Sequence, residues 1–178
     1  VGFKCCLPKT AWPPTYSEYG KKCAEYFSYN LAREGKIIIS GLAKGIDSFA
    51  HWGAVKAKEK TIAVVGNGQD TVYPKENQNL MKEILKNDGA IISEYPVGTK
   101  PEKNNFPARN RIISGISEGV LVIEAKKKSG TLITVDFALE QGRDVYVVPG
   151  NINSINSTGT NDLIKQGAKL VSNYKEIE

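Results

Sequence analysis

The chain has 178 residues, of which 40% are hydrophobic and 24% charged, a balance that fits an ordinary globular protein rather than a wholly disordered chain and allows a sizeable core. Lysine and arginine outnumber aspartate and glutamate by 24 to 19, and the resulting charge of +5 favours an anionic partner. One histidine and three cysteines without Cys-x-x-Cys spacing argue against a transition-metal site or a disulfide framework, so no metal, no cofactor and a reducing cytoplasm are expected. In chain order, Tyr19–Glu34 sets Cys23, Ala24, Phe27 and Leu31 on one helical face, and Gly35 suits the residue after its end. Strand Ile37–Ser40, helix Ile46–Lys58, strand Thr61–Val65, helix Glu76–Asn87 and strand Ala90–Ser93 follow, with Gly89 between the last two. Pro96–Asn105 reads as a loop that runs on through residues 104–112. Then come strand Val120–Ile123, helix Leu132–Gln141 with Gly142, strand Val145–Val148, and a loop over Pro149–Thr160. Helix Asp162–Gln166 with Gly167 and a short edge strand, Ala168–Val171, close the chain.

Each strand is apolar on consecutive positions, as a strand covered on both faces must be. Strand and helix alternate, so the expected fold is α/β: an open, mainly parallel sheet with helices on both faces. No apolar run approaches the ~20 residues of a membrane helix, and the first residues lack the apolar core of a signal peptide.

Ligands of such sheets lie beyond the carboxyl ends of the strands, which directs attention to the strand-to-helix turns. In SGLAKGID, residues 40–47, Ser40 ends a strand, Gly41 and Gly45 leave amides approachable, and Lys44 adds a cation beside a helix N-terminus. The competing reading is a plain tight turn with Asp47 in the first helical turn. In VVGNG, Gly66 and Gly68 suit close approach, but no third glycine completes a dinucleotide fingerprint. The stretch NNFPARNRI, preceded by Lys103, offers Arg109, Asn110 and Arg111 as planar donors and Phe106 as a stacking face. Its competing reading has Phe106 in the core and the arginines paired with Glu94, Glu118 or Glu124. Finally, Lys126 to Lys128 precede Ser129-Gly130-Thr131 at a helix start, where Ser129 or Thr131 can cap and Gly130 exposes its amide. Three lysines at a positive helix end are unfavourable until an anion arrives.

Other chemistry is thinner. Asp47 and His51 lie four residues apart, and Ser40 or Ser129 would complete a triad, but no Gly-x-Ser-x-Gly elbow exists and His51 reads better as a structural partner of Asp47. There is no Walker A sequence.

The blocks SGLAKGIDSFAHWGAV, TIAVVGNGQDTVYP, GAIISEYPVG, NFPARNRIISGISEGVLVIEA, KSGTLITVDFALEQGRDVYVVPG and STGTNDLIKQGAKLV occur in this order. Together they closely resemble the core of the DNA-processing protein A (DprA, or Smf) family over residues 16–175. The resemblance implies an extended Rossmann-like fold and a non-enzymatic cytoplasmic homodimer. It also implies binding of single-stranded DNA and help in loading a RecA-type recombinase during natural transformation. Carried over residue by residue, it draws the DNA pocket from Gly41, Lys44 and Gly45, from Lys103, Phe106, Arg109, Asn110 and Arg111, and from Ser129, Gly130 and Thr131. Two departures stand out. The family's first strand ends in a Gly-x-Arg turn, whereas here CCLPKTAWPPTYSEYG has prolines at 8, 13 and 14, no arginine, and Lys9 as a partial substitute. The sequence also carries neither the N-terminal helical domain nor the winged helix of many relatives, so residues 1–178 read as one core domain with residues 1–15 atypical. The alternative is a phosphoribohydrolase of the lysine-decarboxylase-like (LOG) type using Glu124 and the Ser129 turn, although its Pro-Gly-Gly-x-Gly-Thr-x-x-Glu signature is absent. A sensor of small nucleotides is a third reading.

Overall fold

The structure, a computed structural model, describes the backbone of residues 2–6 and residues 16–177 in full. The strands are β1 (Gly2–Cys6), β2 (Ile37–Ser40), β3 (Thr61–Val65), β4 (Ala90–Ser93), β5 (Gly119–Val122), β6 (Asp144–Val147) and β7 (Lys169–Leu170). The helices are α1 (Glu18–Arg33), α2 (Ile46–Lys56), α3 (Gln78–Lys86), α4 (Asn105–Gly115), α5 (Gly130–Glu140) and α6 (Thr158–Lys165). All strand pairings are parallel, in the order β4-β3-β2-β1-β5-β6-β7. The order reverses at the β1/β5 boundary, which is the switch point of a doubly wound sheet.

Alternate strand residues enter opposite layers. Ile38, Leu121, Ile123, Tyr146 and Val148 pack with Ala24, Phe27 and Leu31 of α1 and Ile46, Ala50 and Ala54 of α2. Ala63 and Val65 continue that layer onto Leu80 and Ile84 of α3. On the other face, Ile39 and Val64 meet Ile113 of α4, while Val120, Val122, Val145 and Val147 meet Val135 and Ala138 of α5 and Leu163 of α6. The continuous apolar runs are therefore consumed on both sides, as the sequence pattern requires.

Several expectations need correction. The segment before Tyr19 does contribute a first strand, and it is central: Lys4 registers with Ile39 on one side and Val120 on the other. Lys9 lies outside the described residues. Residues 104–112 are not loop: Asn104 is the N-cap and residues 105–112 lie in α4. Pro107 is the third residue of that helix, where its missing N–H has no acceptor to lose. A buried arginine in place of an apolar residue weakens the helical pattern further. Helix α5 begins two residues earlier than the pattern indicates, and α6 begins at Thr158, after a 3-10 turn at Ile155–Ser157, so the loop at Pro149–Thr160 is shorter than expected. Gly35, Gly142 and Gly167 take positive φ after their helices, whereas after α3 that role falls to Asp88 (φ 54°) rather than Gly89.

Candidate nucleic-acid interface

Helix α4 joins three turns at the carboxyl edge of the sheet. Phe106, Arg109 and Asn110 are spaced i, i+3 and i+4, so they share one side of the helix. Each engages a different turn. The half-buried Phe106 ring lies against the turn after β3, where a Cβ on Gly66 would stand 3.1 Å from its Cδ1. Arg109 Nη1 donates to Gly41 O at 2.9 Å in the turn after β2. Asn110 Nδ2 donates to Gly130 O at 3.5 Å, a long contact at the start of α5.

The turn before α2 is filled from within. Gly41 N and Ala43 N donate to Asp47 Oδ2 at 3.0 and 3.3 Å, so the Gly41 amide, expected to meet a phosphate, already holds a carboxylate. A Cβ on Gly41 would stand 2.5 Å from Arg109 Nη2 and 2.7 Å from Asp47 Oδ2, so the two charges crowd the space that glycine leaves. Asn77, buried, ties the same turn by donating to Leu42 O at 2.8 Å and Ser48 Oγ at 2.9 Å. Ser40, fully buried, belongs to the frame of the turn. Gly45 precedes α2 at φ 99°, which a side chain would strain. Lys44 pairs with Glu76 at 2.7 Å, but both side chains are more than half exposed, so the pair is weak and open to exchange for another anion.

His51 does not pair with Asp47. Thr61 Oγ1 donates its one proton to Ile38 O at 2.7 Å, so the His51 Nδ1–H donates to Thr61 Oγ1, also at 2.7 Å. Complete burial, aided by the charge of Arg109, pushes the imidazole down to about 3, and the ring is neutral at pH 7. The triad reading has no geometric basis.

At the switch point, Ser17 caps α1 by accepting from Gly20 N at 3.0 Å, while Ser17 N and Oγ both donate to the carboxylate of Glu124. The missing Cβ of Gly20 makes room for that carboxylate, whose Cδ would stand 2.4 Å away. Burial raises the Glu124 carboxyl, against the pull of the Ser17 bonds and Lys126. An open cleft of about 540 Å³ lies beside it, edged by Tyr19 and Pro149, and the Tyr19 hydroxyl donates to Pro149 O at 2.8 Å. Burial first, then Cys23 and Glu124, lift that phenol to about 12.

The start of α5 differs. Ser129 occupies the N-cap in an extended conformation (φ −121°, ψ 151°), yet its side chain makes no capping bond, contrary to expectation. Thr131 lies inside the first turn and is 1% exposed. Neither Ser129 Oγ nor Thr131 Oγ1 has a hydrogen-bond partner among the described residues, and both atoms are buried. Lys126 is half-buried and Lys127 and Lys128 are exposed just ahead of this helix end.

The α4 donors therefore divide. Arg109, expected to face phosphate from a loop, is 4% exposed and serves the Gly41 turn. Arg111 pairs with Glu94, one of the three partners its competing reading offered. Lys103 is exposed just before α4. Sequence reasoning missed Asn77, whose role is a long-range contact with no local signature, and Tyr73, whose ring stands beside Phe106.

The fold and this rim define a doubly wound α/β protein of Rossmann-like build. A family model described as DNA recombination-mediator protein A matches residues 15–178, and the chain belongs to that family. It is 48% identical to protein Smf of Escherichia coli over 162 residues, 91% of this chain and 43% of that protein. The X-ray structure of DNA processing protein A from Streptococcus pneumoniae superposes with a TM-score of 0.88 at 43% identity, covering 99% of this chain and 60% of that one. DNA processing protein A from Helicobacter pylori, a protein with a unique single-stranded DNA binding mode, superposes at 0.87 with 29% identity, covering 99% and 77%. The chain spans about half the length of the curated relatives it matches, 43% to 56% of the first three. Among the described residues, no helix is long and apolar enough to cross a membrane.

Proposed function

We propose that this chain binds single-stranded DNA along the carboxyl rim of its sheet and acts in DNA processing, as its family membership supports. The observation that carries the reading is the start of α5: two buried hydroxyls without partners among the described residues, at a helix end equivalent to roughly half a positive charge, beside three consecutive lysines. A backbone phosphate seated there is met by the helix-end charge and the lysines, and it accepts from a hydroxyl once that side chain turns outward. Lys103 and Lys44 extend the cationic track, with Lys44 exchanging Glu76 for phosphate. Phe106 supplies a stacking face, and Asn110 links it to the α5 end. Arg109 acts as a positioning residue for the Gly41 turn, and Arg111 contributes once Glu94 releases it.

Further expectations belong to the same reading: a homodimer, a cytoplasmic site of action, and help in loading a RecA-type recombinase onto incoming single strands during natural transformation. The activity is binding without turnover. What stands against the phosphoribohydrolase alternative is the engagement of Glu124, its required carboxylate, by both donors of Ser17.

Fluorescence anisotropy with a labelled oligo-dT across a salt series tests the proposal. The expected result is binding that resists duplex competitor and falls linearly in log salt, by about 0.7 for each phosphate contacted. A folded protein that ignores oligo-dT at low salt overturns it; release of free base from a nucleoside monophosphate would restore the hydrolase.

A further inference from the structure

Tyr73 lies on the loop between β3 and α3, and its ring centroid stands 5.4 Å from that of Phe106 with 33° between the planes. That spacing belongs to a directly packed aromatic pair, about 4.5–7 Å, so no base fits between the rings. They form one surface instead, and exposure ranks its parts: Tyr73 is 43% exposed and Phe106 is half-buried behind it. The loop that carries Tyr73 is well tied. Asn67, 1% exposed, donates from Nδ2 to Gly68 O at 2.8 Å and Thr71 O at 2.6 Å. Gly68 N donates to Thr99 O at 2.9 Å and Gly98 N to Asp70 Oδ1 at 2.9 Å, fastening this loop to the one after β4. An exposed aromatic held by its own loop loses little freedom on receiving a ligand, which is the economical way to present a flat face.

We propose that Tyr73 is a second base-stacking residue, extending the Phe106 platform outward so that the rim engages one more nucleotide than Phe106 alone provides. The proposal rests on the single-strand reading above. Any base has a π-face, so the added contact strengthens binding without choosing sequence.

The test compares the full chain with Tyr73→Ala and Tyr73→Phe on two labelled probes of equal length: oligo-dT and an abasic oligomer with the same phosphates. Tyr73→Ala is expected to weaken oligo-dT binding about tenfold, Tyr73→Phe to retain it, and the salt slope to stay unchanged because no phosphate contact is lost. On the abasic oligomer, wild type and Tyr73→Ala should bind alike. Equal oligo-dT affinity for wild type and Tyr73→Ala overturns the role of Tyr73 while leaving the single-strand reading intact. An equal loss on both probes also overturns it, since that marks a structural effect. A wild type that binds no oligo-dT fails the underlying reading instead. Should Tyr73→Ala melt early, Tyr73→Leu keeps apolar bulk without a π-face, and the same outcomes apply.

Discussion

The helix starts of α2 and α5 arise from the same physics and end in opposite states. Each follows a strand at the carboxyl rim, and each concentrates positive partial charge at its first turn. At α2 the chain supplies the anion itself: Asp47 accepts from the Gly41 and Ala43 amides, with Arg109 alongside. Helix α1 follows suit, its N-cap Ser17 carrying the Glu124 carboxylate. At α5 no acidic residue falls in the first turn, and the Ser129 and Thr131 hydroxyls are left without partners among the described residues. A helix start is thus either a structural joint or a ligand seat, and a carboxylate from the chain decides which.

The comparison can be broken or sharpened by mutation. The largest effect is expected at the filled turn. Arg109→Ala removes a positive charge from beside the buried Asp47 carboxylate and takes the donor from Gly41 O, so urea unfolding should show a loss of about 3 kcal/mol. Next comes acid. The unfolded chain takes up a proton on His51 below pH ~6.5 while the native ring, at about 3, stays neutral. Stability present at pH 7 should therefore fall by about 2 kcal/mol on going to pH 5, and His51→Gln should remove most of that slope. At the open turn, replacing Lys126, Lys127 and Lys128 by glutamine should leave the melting temperature nearly unchanged. It should lower the salt slope of oligo-dT binding by about 0.7 for each phosphate lost. Smallest is Glu124→Gln, which weakens the joint at α1 by about 1 kcal/mol in a thermal melt and leaves oligo-dT affinity as it was.

Most of the sheet was legible because a strand covered on both faces writes itself as an unbroken apolar run; Ile37–Ser40, Thr61–Val65 and the half-buried edge strand Ala90–Ser93 match residue for residue. Helix α4 was not, since Pro107 looks like a breaker unless its place in the first turn is known, and Arg109 occupies what local pattern assigns to solvent. The candidate site divides the same way. Glycines, lysines and the Ser129 turn are visible as composition at a strand end. The partners that decide which turn is closed are not: Asp47 could be placed in the first helical turn but not seen turning back on Gly41 N. Glu124 reaches Ser17 across 107 positions, and Arg109 reaches Gly41 across 68. The first of these long-range pairings is set where α1 meets the end of β5 at the switch point, and the second by the topology that brings α4 over β2 and β3.

The most direct test closes the open turn by the device the chain uses elsewhere. Ser129→Asp places a carboxylate at the α5 N-cap, in an extended conformation that suits aspartate, and should hold or slightly raise the melting temperature. Its oligo-dT affinity, read by anisotropy at moderate salt, should fall at least about tenfold, because the added charge fills the seat and repels the phosphate. A folded Ser129→Asp protein that binds oligo-dT as tightly as the wild type would contradict the claim that the start of α5 receives the DNA backbone.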